Sequence, residues 1–295
     1  MRDASALQSA LADTDILVHA AAALPLWSRR DILETNVDGT RNALDAVRRL
    51  KIPRMIQISS TAVYGVPKVH PLDEAFPLHG VGPYGHSKIA AEKLCEEARS
   101  DGLCVTVIRP KTFIGNGRLG VFQILYDWVE SGKRIPVIGR GRNRYQLLEV
   151  RDLVDAILLA AAAPVEAASD TFNVGAREFG TVRDDLGALC DYAATGARVI
   201  GTPALPVKAL LATLEALHLS PLYKWVYGTA DRDSYVSTEK IEARLGWAPK
   251  YSNAQALIES YRWYRENSGS IQTGTGVTHR VAWEPGLLRL FKRWL

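Results

Sequence analysis

DILVHAAA, residues 15–22, is the stretch that decides how this chain folds. Ile16, Leu17 and Val18 are apolar and consecutive, the pattern of a strand buried on both faces of a parallel sheet, where polar and apolar positions no longer alternate. Upstream, Leu7 and Leu11 lie one turn apart in a short amphipathic helix that feeds this strand. Downstream, a helix over about 31–50 leads through Pro53 to the strand RMIQIS at 54–59. A second helix from Pro83 to about Arg99 then leads to the strand CVTVIRP at 104–110. Strands and helices alternating over short loops imply an α/β fold with a doubly wound parallel sheet and right-handed crossovers. In such a sheet ligands sit beyond the carboxyl ends of the strands.

After Pro110 the order loosens. The spacing predicts a helix over 121–130, short strands at 135–138 and near 146–150, and a helix opening at Asp152. Helical segments follow over 204–218 and 237–266, the second broken by GWAPKYS at 246–252. This predicts a dinucleotide-type domain over 1–266 with a smaller C-terminal substrate lobe interleaved, mainly at 113–145 and 176–250. From 267 the run NSGSIQTGTGVT is polar and glycine-rich, so 267–280 is expected to be a flexible linker. In the tail at 281–295, Leu287, Leu290, Phe291 and Trp294 share one helical face, with Arg289, Lys292 and Arg293 off it. Such a basic amphipathic helix suits docking on the chain's own sheet, on a partner subunit of a homodimer, or on an anionic membrane surface.

The 295 residues are 47% hydrophobic and 23% charged, close to the average for globular proteins. The net charge of +4 is spread along the chain without a block of like charges, which argues against a nucleic-acid tail and singles out no partner, though an anionic small-molecule substrate would suit it. Cys95, Cys104 and Cys190 are odd in number and far apart, so neither a disulfide framework nor a metal site is expected, and a reducing cytoplasm is. The opening MRDASALQSALADTD carries Asp3 and no apolar run, unlike a signal peptide. No stretch reaches the ~18 uninterrupted apolar residues of a membrane span.

The chemistry concentrates between Ile58 and Lys88. ISSTAVYG at 58–65 follows a strand, and PYGHSK at 83–88 opens a helix, so the Ser60 hydroxyl at the carboxyl edge of the sheet is expected to face Tyr84 and Lys88, one helical turn apart. A free phenol with a pKa near 10 is a poor base at neutral pH, and a neighbouring ammonium favours the phenolate. Tyr84 could then exchange a proton with a substrate hydroxyl or carbonyl held by Ser60. The accompanying hydride needs a nicotinamide. Alone, Tyr-x-x-x-Lys also describes an ordinary helix face with one aromatic and one solvated lysine.

The context narrows this. HAAA at 19–22, ETNVDGTRNALDAV at 34–47, SSTAVYG at 59–65, PYGHSKIAAEK at 83–93, VIRPKTFIG at 107–115 and EVRDLVDAILLA at 149–160 occur in a characteristic order. Over about residues 13–265 the chain resembles the extended short-chain dehydrogenase/reductases of the NAD-dependent epimerase/dehydratase family. The resemblance implies a Rossmann-like fold, NAD or NADP as cofactor, and Ser60, Tyr84 and Lys88 as the catalytic set. It implies that Lys88 also holds the nicotinamide ribose, and that Ala20 and Ala21 lie against the cofactor through their backbone. Asn36 would tie its helix to the strand and cofactor site, and Pro110 would bound the nicotinamide pocket. On the substrate side it points to Thr61, to Thr112, where relatives often carry Asn, and to Arg144, near the usual phosphate-contacting stretch.

Relatives also begin with a strand, a G-x-x-G-x-x-G turn that takes the pyrophosphate, and a helix. No such turn precedes Asp15, so roughly 60 residues of the family pattern, at about 30 per βαβ unit, are expected to be wanting, with weak cofactor binding and an open sheet edge as the consequences. By the same resemblance, 4,6-dehydratases place Asp-Glu where this chain has Thr61-Ala62, so that elimination lacks its acid and base. The leading expectation is a nucleotide-sugar epimerase working through a transient ketone. A hydroxysteroid-dehydrogenase-like or dihydroflavonol-reductase-like oxidoreductase stays open, because PALPVKALLATLEALHLSPLY at 203–223 is apolar enough to line a hydrophobic pocket. So does a non-catalytic subunit.

Overall fold

The computed structural model describes residues 1–25, 27–118, 120–217 and 224–268. The expected linker, from 269 on, and the expected tail at 281–295 lie outside them. In chain order the first elements are α1 (Ala4–Ala10), β1 (Ile16–His19), α2 (Arg29–Leu33), a π-helical turn (Glu34–Asp38), α3 (Gly39–Leu50), β2 (Arg54–Ile58), a 3-10 turn (Thr61–Tyr64), α4 (Gly82–Ser100) and β3 (Cys104–Pro110). They continue with β4 (Thr112–Ile114), α5 (Phe122–Glu130), β5 (Arg134–Ile138), β6 (Leu147–Glu149), α6 (Val150–Ala162), α7 (Val165–Ala168) and β7 (Thr171–Val174). The last are α8 (Val182–Ala193), β8 (Arg198–Thr202), α9 (Ala204–Ala216), α10 (Lys224–Thr229), α11 (Glu239–Leu245) and α12 (Asn253–Asn267).

The chain forms two compact units. The first comprises Met1–Lys111, Arg151–Gly175 and Val236–Pro249, so the segment 236–249, placed in the lobe on sequence grounds, groups here instead. Its four strands are all parallel, in the order β1-β2-β3-β7. Helices cover both faces. Leu17, Met55, Val105 and Val107 point to one side, where Ala43, Leu44, Ala46 and Val47 of α3 and Cys95 and Ala98 of α4 close over them. Thr106, one residue out of phase, points to the other side and donates to the Ala168 carbonyl of α7 at 2.6 Å. This is the doubly wound α/β arrangement that the alternating sequence predicts.

One expectation fails within it. β1 pairs with β2 alone among the described strands, the open edge that the sequence leads one to expect, but Ile16 and Val18 are 37% and 41% exposed, so the face they share is uncovered and the strand is buried on one face only. Three consecutive apolar residues cannot distinguish a strand covered on both faces from an edge whose second apolar face stands open.

The second unit comprises Thr112–Val150, Ala176–Tyr235 and the chain from Lys250. It holds two parallel two-stranded ladders, β4 with β6 and β5 with β8. Its core joins Tyr126, Trp128 and Val129 of α5, Leu189 and Cys190 of α8, and Leu257 and Tyr261 of α12. Two capping boxes start helices here: Thr181 with Asp184 for α8, and Ser252 with Gln255 for α12. β4 and β8 had no counterpart in the sequence reading, because three to five residues among glycines and prolines carry no period to detect. Among the described residues no helix is long and apolar enough to cross a membrane.

Candidate active site

The site is built where β2 ends. Beyond Ile58 the chain leaves the sheet, and Ser60 in extended conformation caps the 3-10 turn, its Oγ accepting from the Ala62 amide at 3.2 Å. The first turn of α4 packs on this segment at a contact only glycine permits. A Cβ on Gly85 would lie 2.9 Å from the Gly80 Cα and 3.2 Å from the Ala62 carbonyl oxygen. The helix turn that carries Tyr84 is thereby pressed against the turn that Ser60 caps. Both Tyr84 and Ser60 are half-buried.

Lys88 is 3% exposed, one turn along α4 from Tyr84. Its Nζ donates to the Ile58 carbonyl at 3.0 Å and lies 5.9 Å from the Tyr84 ring centroid. Burial lowers its pKa to about 8, against an opposing field from Glu92. The pair is not a solvated surface feature: the cation is inside the protein, beside the phenol.

Asn36 explains how α4 is held. It stands in the π-helical turn, 2% exposed, where its Oδ1 accepts from the Ala23 amide at 2.8 Å. Its Nδ2 donates to the Ala23 carbonyl at 3.3 Å and to Ser87 Oγ at 3.0 Å, and Ser87 Oγ donates to the Tyr84 carbonyl at 2.8 Å. Both amide hydrogens are thus spent on protein, so Asn36 ties the loop after β1 to the helix carrying Tyr84. Ala20 and Ala21, in that loop, are exposed. Pro110, the buried end of β3, joins the same edge through its carbonyl, which accepts from Thr61 Oγ1 at 3.3 Å.

Several neighbours escaped the sequence reading. His19, 2% exposed at the end of β1, has its Nε2 3.3 Å from Thr40 Oγ1. Burial, and then the field of Lys88, lower its pKa to about 4. Ser59 Oγ donates to Glu92 on α4, and Glu92 receives the Arg109 guanidinium at 2.6 Å. Lys111 follows Pro110, 3% exposed, with its pKa lowered by burial to about 7. Polar residues inside apolar strands were the available signal, in HAAA, SST and IRPK.

His19 carries a prediction. The fold buries it neutral, so between pH 6.5 and about 4 the unfolded chain binds a proton that the folded chain refuses. Stability should fall by ~3 kcal/mol as pH drops through that window. Urea unfolding of His19→Gln beside the parent should show the parent losing more stability on acidification; parallel slopes would refute it.

Thr112 and Arg144 belong to the second unit. Thr112 Oγ1 is 3.0 Å from the Tyr145 hydroxyl. Arg144 is exposed, with its guanidinium carbon 4.6 Å from the Phe179 ring centroid and 4.9 Å from that of Tyr235. Its amide donates to Asp233 Oδ1 at 2.8 Å. The aromatic pair holds the cation in solvent reach.

Comparison with known proteins gives a consistent set. Residues 1–175 match the NAD dependent epimerase/dehydratase family. A protein of Sinorhizobium fredii described as uncharacterized is 39% identical over 293 residues, covering 98% of this chain and 72% of that one. A 3 beta-hydroxysteroid dehydrogenase/Delta 5-->4-isomerase of Mycobacterium tuberculosis is 28% identical over 291 residues, covering 89% of this chain and 76% of that one. Among solved structures, a UDP-glucose 4-epimerase of Thermotoga maritima with UDP-glucose superposes with a TM-score of 0.74 at 22% identity, over 90% of this chain and 83% of that one.

Proposed function

The chain belongs to the NAD dependent epimerase/dehydratase family, and from that premise we propose that it is a nucleotide-sugar epimerase acting through a transient ketone, with Tyr84 as acid and base. The observation that carries the reading is the buried Lys88 cation 5.9 Å from the Tyr84 ring. A cation at that place favours the phenolate and lets Tyr84 take a proton from a secondary hydroxyl. Ser60 holds the same oxygen, so that the reacting carbon is fixed in one orientation. When the ketone is reduced on its opposite face, Tyr84 returns the proton, and the net change is an inverted stereocentre.

A bound nicotinamide would supply the acceptor and donor of hydride. The residues present fit its ribose end. Lys88 Nζ spends one of its three hydrogens on the Ile58 carbonyl, leaving two for hydroxyls. Ala20 and Ala21 are exposed and without bulk, and Pro110, buried at the end of β3, is assigned to bound the nicotinamide. Asn36 acts indirectly, by holding the loop and α4 together. On the substrate side we assign Thr61 in the first unit to the sugar, and within the second unit we propose Thr112 and Arg144 as substrate residues, Arg144 for an anionic group. The Thr61-Ala62 pair, with Thr61 donating to Pro110 and Ala62 buried, offers no carboxyl group for dehydration.

Product analysis tests the reading. With excess NAD and a panel of nucleotide sugars, we expect redox-neutral conversion of one sugar to its epimer, followed by NMR. Net NADH formation would overturn the epimerase in favour of a dehydrogenase. That second reading has its own support in the 28% identity to a hydroxysteroid dehydrogenase, and its test is the same assay with sterol alcohols.

A further inference from the structure

Two side chains of α4, one turn apart, grip two consecutive residues at the exit of β2. Lys88 Nζ binds the Ile58 carbonyl at 3.0 Å, and Glu92 accepts the hydroxyl of Ser59. The next residue, Ser60, is half-buried, with its hydroxyl accepting from the Ala62 amide. Glu92 is 5% exposed and is fixed from the other side by Arg109, whose Nε lies 3.1 Å from each carboxylate oxygen and whose Nη2 lies 2.6 Å from Oε2. Arg109, 4% exposed, is held in turn by the Tyr64 hydroxyl at 2.8 Å and the Glu74 carbonyl at 3.2 Å.

We infer that Glu92, held between Ser59 and Arg109, is the positioning residue that keeps Lys88 cationic and seated on the Ile58 carbonyl beside Tyr84. The inference rests on the reading of Lys88 as the cation that activates Tyr84. An ammonium in a dry core sheds its proton unless an anion stands near. The titratable groups around Lys88 single out that anion. His19, facing it from β1, is neutral above about pH 4. Cys95, a turn beyond Glu92 on α4, has its thiol pushed up to about 12 by burial and is uncharged at neutral pH. Tyr84 is the acid that Lys88 acts on. Glu92 remains, and its field opposes the burial that lowers Lys88. Arg109 orients the carboxylate while sharing its charge, so Lys88 keeps its proton without being locked into an ion pair. Because Glu92 also binds Ser59, the same carboxylate fixes the backbone step that presents Ser60.

The test is a lysine titration on the full chain without cofactor. With side-chain-labelled lysine, the Lys88 signal is assigned by its loss in Lys88→Met and followed by NMR. In Glu92→Gln, which keeps the shape and a hydrogen bond to Ser59, the Lys88 midpoint should fall from about 8 by about one pH unit. Glu92→Asp should restore most of it. Should Glu92→Gln not fold, the double variant Glu92→Gln/Arg109→Gln must show the same fall relative to Arg109→Gln alone, a comparison in which the loss of the Arg109 charge cancels. A midpoint unmoved in a folded variant lacking the Glu92 carboxylate overturns the inference. Failure of the acid/base reading is separate: turnover would survive in Tyr84→Phe while the Lys88 midpoint still moved in Glu92→Gln.

Discussion

Replacing Tyr84 with phenylalanine is expected to lower kcat about 100- to 10,000-fold, the range that a positioned acid/base group contributes, with KM for the nucleotide sugar changing little. The reason lies in what the substitution leaves intact. The ring keeps its place above Lys88, and Ser87 still donates to the carbonyl of residue 84, because that bond is to the backbone. Only the phenolic oxygen goes, and with it the group proposed to take the proton. Lys88→Met should be as damaging for a different reason: the phenol remains but loses its cation, so the residual rate should climb steeply with pH, whereas that of Tyr84→Phe should not. Steady-state kinetics across a pH series separates the two. A Tyr84→Phe enzyme within about tenfold of the parent would remove Tyr84 from the mechanism.

The largest effect on stability is expected at Arg109. Its guanidinium is buried, and although burial opposes its charge, the bond to Glu92 and the field of that carboxylate outweigh the cost and raise its pKa. Arg109→Gln strands the Glu92 carboxylate in the core and should cost about 3–5 kcal/mol. Pairing it with Glu92→Gln removes the stranded charge, so the double variant should be more stable than Arg109→Gln alone. Urea midpoints on the three proteins measure this. A single variant as stable as the parent would mean that water reaches Glu92 and that the carboxylate is not dry.

Much of this was legible in the residues. The alternation of DILVH, RMIQIS and CVTVIRP with helical segments fixes parallel strands, because each run is apolar without a period of two, and Tyr84 and Lys88 declare a shared face by their spacing. Burial of Lys88, on which the proposed chemistry depends, was not legible. Whether a lysine is solvated or dry is decided by what packs around it, here in part the end of β2, whose Ile58 carbonyl it binds and which lies far from it in sequence. The exposure of Ile16 and Val18 was illegible for the same reason. Glu92 read as one more charge on the helix PYGHSKIAAEK; that it faces Arg109 follows from the register of β3, which no local pattern reports.

The π-helical turn at Glu34–Asp38 has a consequence for how this protein can vary. Such a turn takes one residue more than an α-turn, and each residue of an α-helix turns the chain by about 100°. Asn36, in the middle of the joint, answers to Ser87 and the Ala23 loop, while Thr40, Ala43 and Val47, after it, answer to the sheet. Descendants of this gene are therefore free to exchange letters on the outer side of the joint, but not to gain or lose one within it. A single-codon deletion there would dephase two otherwise sound halves, making spacing rather than spelling the inherited constraint.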